Sequence, residues 1–162
     1  MKKSIATDIE KLKNPLTFFD VNVGSSLETM EDDFWGKPTF PSGLVTTIHK
    51  IRTLPLNQLS AGYLRMAIGQ KMSLPYLVPL AVERLREDPL LEGDYYEGDL
   101  LQNLLLVPDE YYHWDKASAL SILPLAKKAE ITLKAKDNSE LHEVDIEIIK
   151  LITDFVKKYS KI

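Results

Sequence analysis

The sequence predicts an all-α fold: a single irregular helical bundle with short proline-containing links. Three observations lead there. Apolar residues recur at spacings of three and four through most of the chain, which is the period of a helix that buries one face. Serines stand directly before several of these runs, where a side-chain oxygen can accept from the N–H groups of the first turn. Prolines or polar links close the runs, at Asn14-Pro15, Leu54-Pro55, Asp88-Pro89 and Pro108, because the residue before a proline is pushed out of the helical region.

In chain order, residues 4–13 read as a short helix capped by Ser4 or Thr7. Residues 16–23, with Phe18, Phe19, Val21 and Val23, read as extended. Ser26 caps a turn of helix that leads to Asp32-Asp33-Phe34-Trp35-Gly36, and the two prolines of residues 37–41 make a loop. Ser42 caps a helix whose buried stripe is Leu44, Val45, Ile48 and Ile51; Ser60 caps the next, with Leu64, Ala67 and Ile68 on one face and Gly69 near its end.

The stretch 68–108 organises the rest. Ser73 caps Leu74-Pro75, a helix start in which proline's missing N–H costs nothing. Leu74, Leu77, Val78, Ala81, Val82 and Leu85 give the stripe, Glu83, Arg84, Arg86 and Glu87 turn to water, and Pro79 predicts a kink. After Asp88-Pro89 comes a loop with Gly93 and Gly98, in which Asp94 and Asp99 can each cap the segment after them; Leu100, Leu101, Leu104 and Leu105 then form an apolar face. Residues 109–115 are polar and aromatic. Residues 117–136 are helical by propensity, with a break or kink expected at Pro124; residues 137–139 are a turn. Residues 141–159 close the chain as a helix with Val144, Ile148, Leu151, Ile152 and Phe155 in register and lysines in its last turns, where they complement the helix dipole.

With 162 residues, 44% hydrophobic and 27% charged, the chain suffices for one core, and no composition break argues for two; residues 1–162 are read as a single domain. There is no cysteine, so disulfides and thiolate metal sites are excluded. Asp8 and Glu10 follow Lys2 and Lys3 before any apolar run could make a signal peptide, and no apolar stretch is long enough to span a membrane. The expected location is the cytoplasm.

The net charge of −4 is unevenly spread. Residues 34–82 hold no Asp or Glu, while Lys37, Lys50, Arg52, Arg65 and Lys71 are basic. From Glu83 to Asp115 the balance reverses, and Glu28, Glu31, Asp32 and Asp33 form a second acidic group. Such surfaces repel nucleic acid and steer cationic proteins. In the loop, Glu92, Asp94, Glu97 and Asp99 are interleaved with Tyr95 and Tyr96. Two readings stand: a solvated acidic loop whose tyrosines pack inward, or a surface for a basic partner, for which tyrosine gives large contact area at low entropic cost.

Catalytic apparatus is sparse. His49, His113 and His142 lack a second ligand at helical spacing, and there is no glycine-rich phosphate loop or nucleophile elbow. The carboxylate pairs Asp94/Asp99 and Glu31/Asp33 leave open a divalent-cation hydrolase. Tyr111, Tyr112 and Trp114 could stack bases, but Asp109, Glu110 and Asp115 flank them and disfavour a phosphate backbone; they read either as an aromatic cluster sealing the bundle or as a protein contact.

Several segments together resemble a bacterial family, the immunity proteins of contact-dependent growth inhibition systems. They are Gly36-Lys37-Pro38-Thr39-Phe40-Pro41-Ser42-Gly43-Leu44-Val45, Pro55-Leu56-Asn57-Gln58-Leu59, Leu64-Arg65 with Ile68-Gly69-Gln70, Leu74-Pro75-Tyr76-Leu77-Val78-Pro79-Leu80-Ala81, and Glu92-Gly93-Asp94-Tyr95-Tyr96-Glu97-Gly98-Asp99-Leu100-Leu101. The resemblance covers residues 27–114. It implies a protein without catalysis or cofactor that binds, one-to-one, the toxic C-terminal domain of a surface-displayed effector and blocks it in the cytosol. Such toxins are commonly nucleases with a basic cleft, which the acidic loop would complement over about 800 Å² per partner. Neither nucleic acid nor a membrane is an expected partner. The residues assigned to the toxin contact are Glu31, Asp32, Asp33, Trp35, Glu92, Asp94, Tyr95, Tyr96, Glu97, Asp99, Tyr111 and Tyr112. Pro75, Tyr76, Pro79, Gly93 and Gly98 are motif residues that could hold the scaffold instead. A helical adaptor and the cation-dependent hydrolase are the alternatives.

Overall fold

The computed structural model describes residues 5–40 and 42–162, and these contain nine α-helices and no strand. The helices are α1 (Ile5–Leu12), α2 (Leu27–Glu31), α3 (Gly43–Thr53), α4 (Ala61–Gly69), α5 (Leu74–Glu87), α6 (Asp99–Leu105), α7 (Asp109–Trp114), α8 (Lys116–Lys134) and α9 (Glu143–Tyr159). Lys2, Lys3, the proposed Ser4 cap and Pro41 of the loop lie outside the described residues.

The serine caps predicted at three helix starts are present. Ser26, Ser42 and Ser60 accept from the backbone N–H of Thr29, Val45 and Tyr63. The fourth is a correction. Ser73 sits in the left-handed region (φ 52°) and makes no cap; its hydroxyl donates instead to Glu31 Oε1 at 2.8 Å. Thr7 lies inside α1 rather than before it.

Helix α5 is the central element and packs against α4, α6 and α8, while α8 and α9 lie together and α6 packs on both α4 and α9. In its first half nearly every side chain is buried, including Leu77, Val78, Leu80 and Ala81 on either side of Pro79. Each apolar side chain of that size contributes about 1.5–3 kcal/mol on burial, comparable to the cost of one interior proline. The helix therefore runs unbroken through Pro79. The same holds at Pro124, where Ile122, Leu123, Leu125 and Ala126 are buried on both sides and α8 continues for 19 residues. The break expected at Pro124 is thus overturned by packing.

One further segment differs from the sequence reading, and another is assigned no element by it. Residues 16–23 are not extended: Asp20 accepts from the Thr17 N–H and hydroxyl at 2.8 and 2.9 Å and closes a 3₁₀ turn over Phe18–Asp20, which leaves Phe19 exposed. The polar and aromatic segment 109–115 is largely helical, as α7, and buries Tyr111 and Tyr112.

Candidate functional site

The loop between α5 and α6 is fastened from the inside. The Asp88 carboxylate accepts from Leu90 N–H at 3.0 Å, and Gly98 N–H donates to the Leu90 carbonyl at 3.0 Å, so the two ends of the loop meet. Gly98 has φ +85°, a conformation that costs any residue with a β-carbon, and the space there is already taken by Ile148 and Leu90. Asp99, only 1% exposed, accepts from Gly93 N–H at 2.6 Å and from Tyr95 N–H at 3.1 Å. Arg65 on α4 lies 3.8 Å from that carboxylate, and its guanidinium stacks over the Tyr95 ring at 4.4 Å. Tyr96 turns inward and donates to Gln102; burial, with the charges of Asp99 and Glu147, raises its pKa.

What the loop shows to solvent is the remainder. Glu92, Asp94, Tyr95 and Glu97 are exposed, Tyr95 by 68%. Glu97 reaches Lys136 at 3.6 Å, whereas Glu92 and Asp94 have no ion-pair partner among the described residues. Asp94 lies across α4 at Gly62, where an added methyl group would collide with its carboxylate. A rigid base thus holds three carboxylates and one phenol outward.

The second acidic group is built around a residue that the sequence reading did not assign to the site. Arg52 of α3, 2% exposed, donates from Nη1 to Glu31 Oε1 at 2.6 Å and from Nη2 to the Asp33 carbonyl at 2.7 Å. Its guanidinium lies 4.3 Å from the Trp35 ring centre. Trp35 Nε1 donates to Asp33 Oδ2 at 3.1 Å, and the ring meets His49 edge-on at 5.3 Å. Of the four residues expected here, Glu31 is buried and engaged, Asp33 and Trp35 are partly exposed, and Asp32 is exposed. A signal for Arg52 existed: it follows Ile48 by four, which places a charge in the buried stripe of α3.

Tyr111 and Tyr112 are 1% and 0% exposed and take no part in a surface. Tyr111 donates to Asp115 Oδ2 at 2.8 Å and Tyr112 to the Leu104 carbonyl at 2.6 Å. Tyr112 also meets Phe155 and Tyr159 edge-on at 5.4 and 5.5 Å. Burial pushes both phenols well above the ordinary tyrosine range. Of the two readings of this segment, the aromatic seal of the bundle is the one the packing supports. Asp99 and Glu31 are likewise corrected from surface groups to internal ties, because backbone N–H groups and arginines occupy their oxygens.

One acid of each candidate pair, Asp99 and Glu31, is spent on the protein itself, and no cluster of three or more His, Asp or Glu fit to hold a metal occurs among the described residues. No helix among them is long and apolar enough to cross a membrane. The described residues thus form an all-α scaffold that displays carboxylates and aromatics on the α5–α6 loop and on the α2–α3 link. The profile of a family described as CDI immunity proteins matches residues 29–122, more than half of the chain, and the chain belongs to that family. Proteins of this family act without catalysis by binding a cognate toxin. No curated protein and no solved structure matched the chain.

Proposed function

We propose that the protein neutralises, in the cytoplasm, the toxin domain of a contact-dependent growth inhibition effector, and that the toxin is a nuclease engaged through its basic cleft. The observation that carries this reading is the fastened acidic loop: Glu92, Asp94, Tyr95 and Glu97 face solvent while Asp99, Arg65 and Tyr96 fix them from beneath. A carboxylate surface already held in place loses little entropy on binding, and it mimics the charge that a nuclease cleft is built to hold. Asp32, Asp33 and Trp35, on the α2–α3 link, are the other exposed or partly exposed members of the proposed contact.

The test is survival. Cells that produce the toxin domain encoded beside this protein should grow only when the protein is also made, and the two should co-purify one-to-one. Growth arrest despite the protein, with no complex recovered, would refute the reading.

A further inference from the structure

The acid-free stretch 34–82 does not merely separate the two acidic groups; it builds a groove of opposite character. A cavity of about 650 Å³ opens beside α3 and the link between α4 and α5. Leu44, Ile48 and Met72 supply its apolar wall, Trp35 and the buried Arg52 its inner side, and Lys37 and Lys71, both exposed, its cationic edge. The volume falls in the range of sites that enclose a ligand group.

Three features set this groove apart from an ordinary surface recess. Its acidic lining residue, Glu31, is already matched by Arg52 and the Ser73 hydroxyl, so the remaining charges of the lining are cationic. Arg52 Nε is buried without a hydrogen-bond partner, an unmet donor in a side chain that lines the cavity. Phe34, Phe40 and Leu44 are exposed by 63%, 66% and 45%, and the first two lie on the same loop as Trp35 and Lys37. Of these three, Leu44 lines the cavity itself, so an exposed apolar side chain stands at its wall.

We propose that this groove is a second contact for the toxin-bearing partner, and that it receives a segment presenting an apolar side chain next to a carboxylate. The apolar side chain fills the wall at Leu44, Ile48 and Met72, and the carboxylate meets Lys37 and Lys71. This rests on the proposed function above and extends it. The acidic loop draws a basic cleft and the groove takes an acidic segment, so the two patches of opposite sign fix a single orientation of the partner.

The test measures the affinity of the toxin domain for the full chain and for K37E/K71E, K37Q/K71Q and L44D. All three substituted side chains are at the surface or the groove edge, and an aspartate in the first turn of α3 suits the helix. Thermal midpoints within a degree or two of the parent confirm folding. The proposal expects K37E/K71E and L44D to weaken binding at least tenfold, and K37Q/K71Q to fall between parent and charge reversal. Parent-like affinity for all three variants overturns the groove and leaves the acidic-loop reading standing. Equal losses for the Gln and Glu pairs overturn the acidic character of the segment. No binding by the parent chain removes the proposed function, and the groove contact with it.

Discussion

Arg52 and Glu31 form a buried ion pair, 2.6 Å between Nη1 and Oε1, that ties α3 to the end of α2. The same carboxylate oxygen takes the Ser73 hydroxyl at 2.8 Å, so one acid joins three parts of the chain at positions 31, 52 and 73. Removing one partner leaves the other charged and buried, which costs about 3–5 kcal/mol. Glu31→Ala and Arg52→Ala should each lower the stability by that amount in denaturant unfolding. In the double variant the losses should be far from additive, since the second deletion removes a charge already stranded by the first.

Tyr111 and Tyr112 belong to the core. Tyr111→Phe removes the bond to Asp115 and should cost about 1–2 kcal/mol. Tyr112→Phe should cost about 1 kcal/mol or less, because the Leu104 carbonyl keeps the N–H groups of Leu106 and Val107. Toxin affinity, measured on folded protein, should be unchanged in both.

Gly62 offers a contrast between stability and binding. Alanine is the better helix former by about 1 kcal/mol, yet its methyl group would strike the Asp94 carboxylate. Asp94 is exposed and can swing aside. Gly62→Ala should therefore leave the melting temperature nearly unchanged while amide exchange in residues 92–97 quickens and toxin affinity falls. At Gly98 the outcome differs. The left-handed φ of +85° and the contacts to Ile148 and Leu90 make Gly98→Ala destabilising by about 1–2 kcal/mol.

Acid titrates the seam between α7 and α9. Asp109 accepts from Tyr159 at 2.6 Å and from Lys158 at 2.9 Å, and these bonds hold its carboxyl below the usual range. A depressed native pKa gives stability that is present above the unfolded value of 3.8 and lost as pH falls through the native one. Because the group is half exposed, the contribution is at most about 1 kcal/mol. Asp109→Asn should be less stable than the parent at pH 7, with the gap closing below about pH 4 in urea titrations. A gap that persists at low pH would rule out the charge as its source.

The parts of the fold legible in the sequence are those that local signals report. Periodicity and serine caps describe local structure, and α3, α4, α5 and α9 are recovered from them; the stripes of α4 and α5 are buried as read, whereas in α3 only Ile48 and Ile51 are, and Leu44, expected inside, is exposed. Pro124 misleads for the same reason in reverse, since the break it allowed does not occur. Pro79 and Pro124 carry a local penalty, and only the packed residues on both sides, such as Val78 and Leu80 or Leu123 and Leu125, show that it is outweighed. Ser73 resembles a cap because no local rule tells a serine in the left-handed region from one before a helix; its partner Glu31 lies 42 residues away. Within the acidic loop the composition marks a charged stretch but does not sort its members. Asp99 and Asp94 are alike in sequence, and the difference between an internal tie and a displayed charge arises from Arg65 on another helix and from two backbone N–H groups.

Binding of the displayed carboxylates to a cationic cleft is tested most directly by the dissociation constant of the toxin domain as a function of salt, for the parent protein and for E92K/D94K/E97K. These three residues are exposed, and reversing them leaves the ties of Asp99 intact. Parent affinity should fall as salt rises, and the variant should bind at least a hundredfold more weakly with most of the salt dependence gone. Equal affinities and equal salt slopes for the two proteins would contradict a role for these carboxylates in binding.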